Sequence, residues 1–86
     1  MPKEVLLFHF DSCPFCKQAR DWLKEIQAED PELASVPVEM IDEKRDPARA
    51  EQYDYWYVPT FYVDGKKLHE GAATRETVEQ VLRAAL

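Results

Sequence analysis

The sequence has no surplus of positive charge, no apolar leader and almost no cysteine, and each shortage removes a class of function. Lys and Arg number 11 against 17 Asp and Glu, a formal charge of −6, whereas nucleic-acid and anionic-membrane binding demand a basic face for phosphate groups. Nucleic acids and membranes are therefore not expected partners. The apolar stretch near the amino terminus runs only from Val5 to Phe10 and is broken by His9, too short for the core of a signal peptide. A cytoplasmic location is expected. The only two cysteines are Cys13 and Cys16, which cannot complete a four-ligand zinc site, and His9 and His69 stand at spacings that match no zinc-finger pattern. In a reducing compartment a permanent disulfide is disfavoured against a catalytic or metal-binding pair. Repeats, linkers and low-complexity tracts are absent too. With 86 residues, 45% apolar and 33% charged, the chain is expected to form one folded unit over residues 1–86 with room for one site.

What is present is a regular alternation of elements. Val5 to Phe10 reads as a strand covered on both faces. Ala19, Trp22, Leu23 and Ile26 then recur at helical spacing, with Lys17, Arg20, Asp21, Lys24 and Glu25 on the opposite face, and Asp30-Pro31 is expected to end that helix. A polar connection leads to a short alternating strand, Val38 to Asp42. Asp46-Pro47 has the form of a helix cap followed by proline at the first helical position, predicting a second helix from Pro47 to about Tyr55. In "TFYVDGKKLHE" two strand-like runs flank Asp64-Gly65, a pair suited to a tight hairpin turn. Val78, Val81, Leu82 and Ala85 mark a terminal helix, with Thr74 as its cap and Glu76 in its first turn. The order strand, helix, strand, helix, strand, strand, helix predicts an α/β fold with a four-strand mixed sheet and three helices.

The cysteines fall in "FHFDSCPFCKQAR", where the first strand gives way to the first helix. Cys13 should face the unpaired amide hydrogens of the helix start, and such a position favours a thiolate. Cys16 lies three residues on, on the same face one turn along, less exposed and placed to resolve a mixed disulfide. Pro14 stiffens the turn at a position where the helix needs no amide donor.

"CPFCKQAR" resembles the glutaredoxin active site, usually C-P-Y-C-x-x-A-K, with Phe15 for tyrosine and Arg20 for lysine. "VPTFYVDGKKLHEGA" is similar to the second half of thioredoxins, with their hydrophobic-Pro-Thr, hairpin and x-G-A run. The resemblance implies a thioredoxin-like fold, a cis peptide bond before Pro59, and disulfide exchange with Cys13 attacking and Cys16 resolving. It also implies that the backbone of Val58 pairs with the substrate chain. Pro14, Phe15, Val58 and Pro59 are the candidate substrate contacts, and Lys17 and Thr74 are candidates for anionic groups such as the carboxylates of glutathione. The chain departs from both patterns. "EGAAT" lacks the Gly-Gly and acidic residue with which glutaredoxins hold glutathione, and Asp11 stands near where they carry a basic residue. Leu7 replaces the buried aspartate of thioredoxins, and Ser12 the tryptophan beside the first cysteine.

Other residues admit two roles. His9 is nearer to a core histidine than to a catalytic one, and His69 is expected at the surface. Lys17 either favours the thiolate or pairs with Asp21. Asp11 is read as a helix-capping carboxylate in preference to a proton acceptor. "YDYWYVP", Tyr53 to Pro59, places four aromatics in front of Pro59, for a substrate groove or for packing. The expected function is a monomeric thiol–disulfide oxidoreductase that needs no bound cofactor. Its expected partners are disulfide-containing protein or small-molecule substrates and a reductase or glutathione as electron donor. The competing expectation is a non-enzymatic module, either a dimer holding an iron–sulfur cluster or a protein-binding adaptor.

Overall fold

A computed structural model describes residues 2–86. Its elements are β1 (Val5–His9), α1 (Pro14–Glu29), α2 (Pro31–Ala34), β2 (Val38–Asp42), α3 (Pro47–Ala50), β3 (Thr60–Val63), β4 (Lys66–Glu70) and α4 (Arg75–Ala84). The strands form one mixed sheet in the order β2-β1-β3-β4. β1 runs parallel to β2 and antiparallel to β3, and β3 pairs antiparallel with β4 across the turn at Asp64-Gly65. Both turn residues have positive φ, 52° and 80°, the conformation that Asp-Gly tolerates. Among the described residues no helix is long and apolar enough to cross a membrane.

β1 is buried along its whole length, and its alternation divides the core. Val5 and Leu7 face one layer, where α1 contributes Ala19, Leu23 and Ile26 and α4 contributes Val78, Val81 and Leu82. Leu6 and Phe8 face the other, against Ile41, Ala50 and Tyr62 with Tyr53, Tyr55 and Val58 at its margin. Each face of a sheet must bury its apolar residues against another element, and here helices α1 and α4 cover one side while α3 and the aromatic segment cover the other.

Four helices form where three were expected, and Asp30 explains the difference. Its backbone N–H closes α1 on the carbonyl of Ile26, while its carboxylate accepts the N–H groups of Glu32 and Leu33 and so opens α2. Asp30-Pro31 is the same cap-plus-proline signature that opens α3 at Asp46-Pro47. Gln27 fastens the turn to α1 by donating to the carbonyls of Leu33 and Val36, both at 3.0 Å. Conversely, α3 stops at Ala50 rather than near Tyr55. Tyr53 and Tyr55 pack on Phe8 with ring centroids 4.8 and 4.9 Å away, and the carbonyl of Asp54 accepts the Tyr62 hydroxyl at 2.7 Å. Tertiary packing has taken the place of a second helical turn.

Leu33 is fully buried in the α1–α4 layer. Leu33→Ala is expected to lower unfolding free energy by about 2–5 kcal/mol, whereas Leu86→Ala, at an exposed position, changes it by no more than about 0.5 kcal/mol. Urea unfolding of the two variants reads this directly, and equal midpoints would show that α2 adds nothing to the core.

Candidate active site

Cys13 is the N-cap of α1, with extended backbone angles (φ −83°, ψ 117°) and Pro14 in the first turn. Its own sulfur performs the capping: Cys13 Sγ accepts the backbone N–H of Cys16 at 3.3 Å. The loop is closed from the strand side by Cys13 N–H donating to the carbonyl of Phe10 at 3.2 Å. Both thiols are free and buried, Cys13 at 7% exposure and Cys16 at 0%. Burial first, and then the hydrogen bond with Cys13, push the Cys16 thiol up to about 12, while the Phe10 N–H and the charge of Arg20 act in the opposite direction. The two sulfurs therefore occupy unequal positions, one at the rim and one beneath it.

Register puts the second wall of the site beside the first. Phe8 pairs with Thr60, so Pro59 lies level with His9, at the end of the sheet from which the cysteine loop departs. The Val58-Pro59 bond is cis, Pro59 is fully buried and Val58 is half-buried at the edge of the aromatic layer. The aromatic run splits by role. Tyr53 and Tyr55 join the core, while Trp56 and Tyr57 stand out at 86% and 70% exposure, and Phe15 of the cysteine loop is also exposed. The exposed pair is nevertheless held. The Glu70 carboxylate accepts the backbone N–H groups of Trp56 and Tyr57 and pairs with Lys67 at 2.8 Å. Lys67 and the two N–H groups hold the Glu70 carboxyl down to about 2, so the clamp stays charged until strongly acidic pH. A groove of about 330 Å³, lined by Glu43, Lys44, Pro47, Tyr53, Tyr55 and Trp56, flanks this segment.

The remaining expected residues fall as follows. Lys17 is exposed and bonded to Asp21 at 2.8 Å. Thr74 caps α4, accepting the N–H of Thr77 at 3.1 Å. Its neighbour Arg75 pairs with Glu25 and Glu29, which are 12 and 16 residues past Cys13 and so about 18–24 Å from it along the helix axis. Asp11 is not a helix cap, because the Cys13 sulfur holds that position; instead Asp11 meets Arg45 at 2.6 Å. His9 is buried, and its Nδ1 lies 3.1 Å from Arg20 Nη1. His9, Asp11 and Asp42 bring ligand-capable atoms within 4.8 Å of one another, and the Arg45 guanidinium supplies the positive charge there, 2.6 Å from Asp11 and 3.8 Å from Asp42. Sequence reasoning did not find Glu70 or Lys44, whose ammonium sits 4.1 Å from the centre of the Phe10 ring. Only the hairpin register could have shown Glu70, and no local signal marks Lys44.

Residues 5–68 match the family model described as Glutaredoxin. The chain is 30% identical over 83 residues, 96% of its length, to a thioredoxin of Methanocaldococcus jannaschii, covering 95% of that protein. Among solved structures, desulfothioredoxin from Desulfovibrio vulgaris Hildenborough in its reduced form superposes with a TM-score of 0.70 at 24% identity over 100% of this chain and 83% of its own. A mutant thioredoxin from Halobacterium salinarum NRC-1 gives 0.72 at 19% identity, over 98% of this chain and 74% of its own. These two likenesses establish the fold, which is thioredoxin-like as the motifs implied.

The unequal burial of the thiols has a measurable consequence. With Cys13 replaced by serine, Cys16 is expected to react with iodoacetamide at neutral pH more slowly than a free cysteine, because the burial that disfavours its thiolate persists. The rate should rise with pH well past the ordinary thiol range. Alkylation as fast as that of free cysteine at neutral pH would contradict this placement.

Proposed function

The chain belongs to the glutaredoxin/thioredoxin superfamily, and on that premise we propose that it is a cytoplasmic, monomeric thiol–disulfide oxidoreductase acting on disulfides of protein substrates. The observation that carries this reading is the capping of α1 by the sulfur of Cys13. A nucleophile at that point keeps an N–H donor and the positive helix end against its developing charge. The Cys13 thiolate attacks one sulfur of the substrate disulfide, forming a mixed disulfide and expelling the first substrate thiolate. Cys16 then loses its proton and attacks Cys13 Sγ. The bond to the substrate breaks, the second substrate sulfur leaves and takes up a proton, and a Cys13–Cys16 disulfide remains. Two electrons have passed to the substrate, and a reductase or glutathione returns them.

The edge at Val58, half-buried at the margin of the aromatic layer, supports a polypeptide substrate, since an extended chain can pair with its backbone groups. Trp56 and Tyr57, next to it in the chain, and Phe15 on the cysteine loop offer exposed aromatic area, of the kind that dominates protein interfaces. Support for glutathione as a direct substrate is weaker. Lys17 and Thr74, the candidates for its carboxylates, are already engaged by Asp21 and Thr77. Asp11 is not a repulsive charge, however, because Arg45 offsets it.

Cys13→Ser is expected to abolish disulfide reduction, while Cys16→Ser accumulates a mixed disulfide with a protein substrate, visible by non-reducing electrophoresis. Trapping by the Cys13 variant instead would reverse the roles. In the unaltered chain, mild oxidation should remove both thiols together as one intramolecular disulfide without release of metal, whereas a cluster-holding dimer would release iron as its thiols are lost.

Glutathione mixed disulfides are expected to turn over about a hundredfold less efficiently than a protein disulfide, the effect of losing one or two charge-assisted contacts. Reduction rates measured side by side on a glutathione mixed disulfide and on a protein disulfide, with the same reductant, give the ratio. Equal efficiency would refute the preference.

A further inference from the structure

We propose that Arg20, held in place by a neutral His9, is the charge partner of Cys16 and stabilises the thiolate that Cys16 must form to resolve the mixed disulfide. This inference rests on the reading above that Cys16 resolves. Arg20 lies four residues after Cys16 on α1, one turn along on the same side of the helix, and is half-buried. The chain has five arginines. Among the described residues Arg45, Arg49, Arg75 and Arg83 each pair with carboxylates, and Arg20 alone forms no ion pair. Its partner is the imidazole Nδ1 of His9.

That partner leaves the charge of Arg20 intact. A guanidinium only donates, so Nδ1 must accept, which fixes His9 as the uncharged tautomer with its proton on Nε2. Burial first, and then Arg20 itself, hold His9 below its ordinary value, with Arg45 acting in the same sense and Asp42 and Asp11 against it. At neutral pH His9 therefore orients the guanidinium without cancelling it, as a carboxylate would. Side chains of a helix lean towards its amino terminus, so that of Arg20 leans over the turn that carries the buried Cys16, and its charge favours the Cys16 thiolate. In the resolving step the Cys16 proton leaves, the Cys16 sulfur bonds to Cys13 Sγ, the bond to the substrate sulfur breaks, and that thiolate accepts a proton. Arg20 lowers the cost of the first of these events. Acidification that protonates Nδ1 of His9 removes the acceptor, sets two cations against each other and releases Arg20.

The test uses the full chain carrying Cys13→Ser, so that only Cys16 alkylates, and follows iodoacetamide reaction against pH. Adding Arg20→Gln should slow alkylation at fixed pH about tenfold and move the profile alkaline, the effect of losing one nearby opposite charge. Arg20→Lys should restore most of the rate. In the chain with both cysteines, Arg20→Gln should lengthen the life of the mixed disulfide without slowing its formation. An unchanged profile in Arg20→Gln, or a slowed one that Arg20→Lys leaves equally slow, would overturn the proposal, the second outcome showing a packing role. Alkylation is read without turnover, so failure of the parent chain to reduce any disulfide would sink the proposed function while the profile still reports on Arg20.

Discussion

Much of this molecule depends on one hydrogen bond, from the backbone N–H of Cys16 to the sulfur of Cys13. A helix start needs an acceptor for its orphan amides, and the usual suppliers are Ser, Thr, Asp or Asn. Ser12 and Asp11 stand next door, yet the thiol takes the position. Structural capping thereby falls to the same atom that the proposed function makes the nucleophile. The group that settles the first turn of α1 is also the one to which the proposed function gives the attack on substrate, and its direction is fixed by a sixteen-residue helix packed through Cys16, Ala19, Leu23 and Ile26.

The opposite wall of the site is built differently. Trp56 and Tyr57 are too exposed to be held by packing, and their backbone is anchored by Glu70, a carboxylate from the far end of the hairpin. Exposed ion pairs are ordinarily worth little, but here a pair with Lys67 keeps a carboxylate ionised for two N–H groups. The purpose served is geometric rather than a large gain in stability. Large aromatics can then be presented to solvent on a fixed backbone, which cuts the ordering cost of binding.

How much of this is legible in the sequence depends on whether a feature is local. The β1–α1 junction, the Asp64-Gly65 turn, the cap at Thr74 and the strand Val38–Asp42 all follow from residues within a few positions of one another, and all stand where the sequence places them. The thiol pair is likewise a local motif. The unexpected α2 is local too: Asp30-Pro31 carries the same signature as Asp46-Pro47, but Asp30 ends one helix and begins the next, and a stop signal hides a start signal on the same residue. The shortened α3 departs for the opposite reason. Tyr53 and Tyr55 are acceptable helix residues, and only the presence of Phe8 and Tyr62 across the layer draws them out of the helix. Asp11 leaves its expected capping role because its partner Arg45 lies 34 residues away. Arg20 is visible as a motif residue, but that it alone among the arginines lacks a carboxylate is a property of the fold.

Core patterning and chemistry meet in the register of β1. Its alternation sends Val5 and Leu7 to the helical layer and Leu6 and Phe8 to the aromatic one, and pairing Phe8 with Thr60 sets Pro59 level with His9. A slip of one residue would reverse every side chain of the strand, moving Phe8 away from Tyr53 and Tyr55 and turning His9 out of reach of Arg20. Pro59 would then lose its place level with His9, and Arg20 its imidazole acceptor. Because β1 is buried on both faces, burial alone does not choose between the registers; the fit of the Phe8 ring against Tyr53, Tyr55 and Tyr62, and of the His9 imidazole against Arg20, does. That choice sets Pro59 and His9 side by side at the end of the sheet from which the cysteine loop departs.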